Sequence, residues 1–127
     1  MTSAVAAGFP SPAEPYAEAP LDLNDLLVHK PAATFFVRAA GDSMLGAGIQ
    51  PDDILVVDRS LRPENGSIVI AAVDGDFTVK TFRRDEKGGV RLEPANPSYA
   101  PILFSDGMEL RVFGIVTAVI HRFVKFR

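Results

Sequence analysis

Residues 67–82 have the sequence Ser-Ile-Val-Ile-Ala-Ala-Val-Asp-Gly-Asp-Phe-Thr-Val-Lys-Thr-Phe. Two runs rich in β-branched and aromatic residues, 67–73 and 76–82, flank the pair Asp74-Gly75. This pair favours the two-residue type I′ turn, and such runs favour strands. The stretch therefore predicts a β-hairpin.

Lys80 lies inside the second strand of this hairpin. Because a two-residue turn fixes the register, Lys80 is expected opposite Val69, on the face that also carries Ala71 and Phe82. Burial in apolar surroundings disfavours the charged form of an amine and lowers its pKa. A lysine that acts as a base needs its pKa lowered from about 10.4 to about 7 to 8. The alternative is an amine that extends past the sheet to water.

Similar runs predict strands over most of the remaining chain, and a break is expected near Gly114 in the last of them. The predicted strands outside the hairpin cover residues 34–38, 54–58, 90–93 and 110–123.

The N-terminal part has a different composition. Five of the ten prolines fall within the first 31 residues, and proline opposes both helix interiors and central strands. Asp22 is expected to cap a short helix over residues 22–28, whose leucines would pack on the body. We therefore predict a flexible, extended N-terminal arm over residues 1–30, followed by a mainly β domain over residues 31–127.

The composition excludes several classes of function. The chain has 127 residues, a length typical of one domain, and it has no cysteine, which excludes thiol catalysis and disulfides. Two histidines, His29 and His121, cannot form a metal cluster alone, so no metal or cofactor is expected. The net charge of −3 gives no basic surface for direct nucleic-acid binding. No apolar run reaches the roughly 18 residues that a membrane span needs, and we expect a cytoplasmic protein.

Ser43 is the candidate nucleophile. The motif Gly41-Asp42-Ser43-Met44 follows a predicted strand, and the small residues at 46–48 just beyond it favour a sharp turn. A serine hydroxyl is a weak nucleophile until a base removes its proton, and Lys80 can be that base if it is buried and neutral. The alternative is that Asp42 and Ser43 merely cap this turn.

Two other bases are conceivable from the residues alone. Lys125 also has apolar neighbours, although it lies near Arg122 and Arg127 at the end of the sequence, where strands fray. His121 could serve as a base with a carboxylate such as Asp58 behind it. Neither pattern contains a feature that brings these residues to Ser43.

Several sequence blocks together resemble the LexA/UmuD-type self-cleaving serine peptidases. Ser43 follows Gly8 by 35 residues and precedes Lys80 by 37, as in the pattern of that family. The resemblance covers nearly the whole chain and is closest to the accessory proteins of translesion synthesis within the family. Its other blocks, in the same order, are residues 8–13, 21–24, 41–44, 47–49, 53–58, 71–75, 77–80, 94–97 and 101–102.

The resemblance implies a compact, curved antiparallel-sheet body of the LexA C-terminal peptidase type. It also implies that Ser43 is the nucleophile, Lys80 the general base, and the bond between Ala7 and Gly8 the substrate. A RecA filament on single-stranded DNA would stimulate the cut as part of the SOS response. The shortened chain would act as a homodimer that joins a UmuC-type Y-family DNA polymerase.

Two alternatives remain at this stage. The first is a non-enzymatic module that binds the polymerase and RecA and leaves its serine and lysine unused. The second is a fragment of a prophage-type repressor. Only seven residues precede the predicted cleavage site, where LexA-type repressors carry a DNA-binding domain, so repressor function is not expected.

Overall fold

The computed structural model describes residues 20–104 and 107–126. The predicted cleavage site, Ala7 and Gly8, lies outside these ranges. Within them the chain forms one short helix and seven strands, in the order α1 (Leu23–Leu27), β1 (Thr34–Arg38), β2 (Ile54–Asp58), β3 (Ile68–Val73), β4 (Asp76–Arg84), β5 (Val90–Glu93), β6 (Ile102–Leu103) and β7 (Leu110–Ile120).

The described strands form a single antiparallel sheet in the order β1-β2-β7-β3-β4-β5-β6. The predicted mainly β fold with an antiparallel sheet is therefore confirmed. Three strands have the predicted bounds, and β3 and β4 differ from theirs by one or two residues. The sequence did not predict β6, because two residues are too few to show an alternating pattern.

The hairpin of β3 and β4 has the predicted turn and register. Asp74 and Gly75 have φ angles of 48° and 90°, and a type I′ turn requires positive values at both positions. Val69 pairs with Lys80, as predicted. The turn therefore determines which face of the sheet the Lys80 side chain leaves from.

Gly114 does not break the last strand, so that prediction is wrong. β7 is continuous, and its irregularity is a pair of register shifts, one against Ile70 and Ala71 in β3 and the other against β2. Gly114 is needed for space, because a Cβ there would lie 2.6 Å from Cγ1 of Val57. The strand also ends at Ile120 rather than at residue 123, since its partner β2 begins opposite that residue.

Two apolar clusters cover the two faces of the sheet. Neighbouring residues of β3 belong to different clusters, because successive side chains of a strand point to opposite faces. Met44 and Ile49, which follow the candidate serine, are buried in the first cluster. That cluster is Ala39, Met44, Ile49, Leu55, Val57 and Ile70. The second is Val69, Ala71, Phe82, Leu92 and Ile115.

The helix α1 begins as predicted, with the Asp22 carboxylate accepting a hydrogen bond from the Asn24 N–H at 2.9 Å. Its leucines pack less than predicted: Leu27 is half-buried, whereas Leu23 and Leu26 are 58 and 61 % exposed. No helix within the described residues is long and apolar enough to cross a membrane.

Candidate active site

The candidate serine lies in a turn, residues 41–48, that follows β1. Gly41 has a φ of 76°, in the left-handed region that glycine adopts without a steric penalty. Beyond Ser43, the side chains of Met44 and Ile49 are 3 and 4 % exposed and fix the turn to the core. The following 3₁₀ turn, Leu45–Ala47, has no side-chain cap, so the capping alternative for Ser43 is not observed.

Lys80 lies directly against Ser43. Its Nζ atom is 3.0 Å from the Ser43 Oγ, and the lysine is only 9 % exposed. The same Nζ lies 2.7 Å from the Thr78 Oγ1 and 3.2 Å from the Val79 carbonyl oxygen. The amine therefore bonds within the protein, and the alternative in which it extends to water does not describe it.

Burial lowers the pKa of Lys80 below its ordinary value, because the site removes water from around the ammonium group. The neighbours of Nζ suit the neutral amine. Its two N–H groups donate to Thr78 and Val79, and its lone pair then faces the Ser43 hydroxyl. In this arrangement the lysine can accept the serine proton. The geometry is that of a nucleophile with its base.

Thr78 was not singled out from the sequence. A signal for it was present, since Thr78 and Lys80 are two residues apart on one strand and share a face. Its hydroxyl holds the amine on the side of Ser43.

A cavity of about 380 Å³ opens beside the side chains of Ser43 and Lys80. Its walls are mainly apolar and come from β1, β4, β7 and the serine turn. They include Phe35, Val37, Met44, Val79 and Phe113. A cavity of this kind suits an extended peptide with small apolar side chains next to the reacting bond.

The rival bases have other partners. Lys125 is half-exposed and pairs with Asp52. His121 donates through Nδ1 to the Asp53 Oδ1 at 2.5 Å, so the carboxylate beside it is Asp53 and not Asp58. Asp58 instead accepts from the Ser60 hydroxyl at 2.6 Å. Among the described residues, the side chain that meets the Ser43 hydroxyl is Lys80.

A family model for peptidase S24-like proteins matches residues 1–117, a range that includes both Ser43 and Lys80. The chain belongs to the peptidase S24 family. This S24 chain is 53 % identical over 116 residues to the protein SamA of Salmonella typhimurium. The match covers 91 % of this chain and 79 % of SamA. It is 50 % identical over 124 residues to the protein ImpA of Escherichia coli, covering 91 % and 78 %.

A more distant relative is the LexA repressor of Carboxydothermus hydrogenoformans, 38 % identical over 120 residues. That match covers 94 % of this S24 chain and 57 % of the repressor. The prediction of a LexA/UmuD-type, self-cleaving serine peptidase of the SOS response is thereby confirmed at the level of the family.

Proposed function

We propose that Ser43 and Lys80 form a catalytic dyad that cuts the chain's own bond between Ala7 and Gly8. The observation that carries this proposal is the 3.0 Å separation between the Ser43 Oγ and the Nζ of Lys80, a lysine that is only 9 % exposed. A serine with a neutral amine at hydrogen-bond distance supplies both the nucleophile and the general base that acyl transfer requires.

In the first half of the reaction, neutral Lys80 takes the Ser43 proton while Oγ attacks the carbonyl carbon of Ala7. The negative charge that develops on the carbonyl oxygen is stabilised by backbone N–H groups at Ser43 and a neighbour, each typically worth about 10²- to 10³-fold in rate. The Lys80 ammonium then donates its proton to the departing amine of Gly8.

In the second half, water attacks the ester that joins Ser43 to Ala7. Lys80, neutral again, takes a proton from that water and returns it to the Ser43 Oγ as the ester breaks. Thr78 and Val79 accept hydrogen bonds from the amine throughout, so the lysine changes protonation state without changing place.

The substrate segment is part of the same chain, so its effective concentration at the cleft is high. Regulation therefore depends on how well the segment is placed rather than on affinity. A RecA filament on single-stranded DNA would stimulate the cut by favouring the state in which the segment occupies the cleft. The processed chain would then join a UmuC-type Y-family polymerase in the cytoplasm, as a homodimer.

Intact-mass measurement during incubation at pH 7 to about 10 tests the dyad. We expect slow loss of the first seven residues, at a rate that rises with pH as Lys80 loses its proton and levels off below the ordinary lysine pKa of about 10.4. Ser43→Ala and Lys80→Ala should each abolish the cut, and the double variant should be no slower than either, since a dyad acts as a unit.

Lys125→Ala is the matched control, because it removes a lysine with apolar neighbours in sequence that lies away from Ser43. It should cut at the wild-type rate. A normal cut in Lys80→Ala would refute the assignment of the base. An unchanged mass at every pH, also with RecA filaments present, would favour a non-enzymatic module that binds RecA and the polymerase.

A further inference from the structure

The serine turn is tied to a segment far away in sequence, residues 94–99, which follows β5. Four hydrogen bonds join the two. Their partners are the Asn96 Nδ2 and the Asp42 carbonyl at 2.9 Å, the Tyr99 hydroxyl and the Asp42 Oδ1 at 2.5 Å, the Ala95 N–H and the Ser43 carbonyl at 2.8 Å, and the Gly46 N–H and the Ala95 carbonyl at 2.7 Å. Two of the four are side-chain bonds to Asp42, the residue directly before the serine.

The turn needs such support because of its position in the sheet. It follows β1, whereas Lys80 lies on β4, and β2, β7 and β3 separate these two strands. Strand pairing alone therefore does not place the turn beside the lysine, although β1 and β4 both line the cavity at the site. Met44 and Ile49 anchor the turn in the core, but only after Ser43 in the chain. The bonds to Asp42 hold the residue before it.

The 94–99 segment connects the serine to the strand that carries the lysine. β5 pairs with β4, and the last pair of that ladder joins Glu93 to Thr81, the neighbour of Lys80. Two residues after Glu93, the Ala95 N–H binds the Ser43 carbonyl. A short path of direct backbone contacts thus runs from Lys80 to Ser43 through this segment.

We propose that Asn96 and Tyr99 are positioning residues that act through Asp42 to hold the Ser43 Oγ against the Lys80 Nζ. This inference rests on the proposed function. We call the two hydrogen bonds from Asn96 and Tyr99 to Asp42 the brace. A displacement of about 1 Å between reacting groups can cost about 10²-fold in rate, so loss of the brace next to the nucleophile should have a measurable effect. Neither residue touches the reacting atoms.

Two further observations fit a close, permanent brace. A Cβ at Gly46 would lie 2.7 Å from the Ala95 carbonyl oxygen, so the turn and the segment meet at a distance that excludes a side chain. The hydrogen bond to Asp42 raises the pKa of Tyr99. Its hydroxyl therefore keeps its proton to a higher pH than an ordinary tyrosine does.

Two variants remove the side-chain bonds to Asp42 without adding a charge near Lys80. Tyr99→Phe deletes only the hydroxyl that donates to Asp42. Asn96→Ala deletes the donor to the Asp42 carbonyl, together with the Oδ1 that accepts from the Ser98 N–H. We expect each to lower the plateau of the pH–rate profile for self-cleavage about 10-fold, and the double variant up to about 10²-fold.

The midpoint of that profile should stay at the wild-type pH, because the burial of Lys80 is unchanged. Asp42→Asn, which keeps an oxygen for Tyr99 to donate to, should cut faster than Asp42→Ala. Asn65→Ala is the control: it removes a side-chain bond to the Arg84 N–H, outside the cleft, and should leave the plateau unchanged.

A second measurement is independent of the N-terminal segment: the rate at which a small fluorophosphonate labels Ser43, followed by mass. This labelling rate should fall in the same variants that lower the plateau of the pH–rate profile. Wild-type rates in both brace variants, with Ser43→Ala inactive, would overturn this inference and leave the proposed function standing. A midpoint displaced toward that of a free lysine would also overturn it, since the loss would then lie in Lys80. A wild-type chain that is neither cut nor labelled would refute both.

Discussion

At the scale of single residues, the protonation of Lys80 is the central quantity. Three oxygen atoms lie 2.7 to 3.2 Å from Nζ, and they belong to a serine hydroxyl, a threonine hydroxyl and a backbone carbonyl. None of these carries a charge that would stabilise an ammonium ion. Desolvation therefore acts on the charged form without a compensating negative charge, which is the physical reason for the lowered pKa.

This lowered pKa makes a prediction about stability. Between the folded pKa of Lys80 and its ordinary value near 10.5, the unfolded chain binds more protons than the folded one. Stability against unfolding therefore rises with pH through this window, and below it burial of the charged lysine is unfavourable. Lys80→Met, which fills the site without a charge, should be more stable than wild type at pH 7 and should lack this rise.

Urea unfolding of both proteins from pH 6 to about 10 measures the difference. Subtracting the variant's free energy of unfolding from that of wild type at each pH cancels the contributions of other groups that titrate in this range. One of these is Tyr99, whose pKa is raised. A difference that stays constant across the range would mean that Lys80 has an ordinary pKa in the folded protein, and would weaken its assignment as the base.

At the scale of elements, the sequence predicted what local rules control. The hairpin around Asp74 and Gly75 followed from turn chemistry, and with it came the position and burial of Lys80. Thr78 could have been predicted from the same strand pattern. The contacts of the 94–99 segment could not, because bonds between two loops leave no periodic signal in a sequence.

Gly114 shows that a glycine within a strand pattern can have a cause other than a break in the strand. A glycine in a strand pattern indicated a break, but the structure uses it to let β7 pass close to Val57 and the Asp58 carbonyl, 2.6 and 3.1 Å from the missing Cβ. Gly114→Ala should therefore destabilise the fold by about 1 to 3 kcal/mol, as overpacking of a core typically does. The midpoint of urea unfolding measures this loss.

Val57→Ala provides the matched partner, because it removes the Cγ1 atom that the new methyl group would meet. The double variant should be more stable than the sum of the two single losses predicts, since the two residues are in contact. Strict additivity would show that Gly114 is required for a reason other than this contact.

At the scale of the whole molecule, the site depends on contacts between distant parts of the chain. Ser43 follows β1 and Lys80 lies on β4, with three strands between them in the sheet. Local patterns offered Lys80 as a base for Ser43 but left Lys125 and His121 as alternatives. The family resemblance singled out Lys80, and the structure adds the distance and the segment that bridges the two.

The charge distribution of the whole molecule opposes direct DNA binding. The net charge is −3, and two side chains of the basic run at 121–127 have acidic partners, since His121 pairs with Asp53 and Lys125 with Asp52. Asp53 is 2 % exposed. Burial alone would raise its pKa, but hydrogen bonds from the Gln50 N–H and His121 lower it overall, so this carboxylate remains charged beside the run.

We therefore expect the full chain to bind RecA-coated single-stranded DNA but not the naked strand. Ser43→Ala is the form to titrate, because it cannot cut itself during the measurement. Fluorescence anisotropy of a labelled oligonucleotide, with and without RecA, should show saturation only with the filament. Each phosphate that a protein neutralises adds to the salt dependence of its affinity, so a direct contact would be recognised by its steep loss with salt. Salt-sensitive, micromolar binding to naked DNA would overturn the partner-mediated interpretation, because the few cations of the 121–127 run would then be free to follow the phosphate backbone rather than held by Asp52 and Asp53.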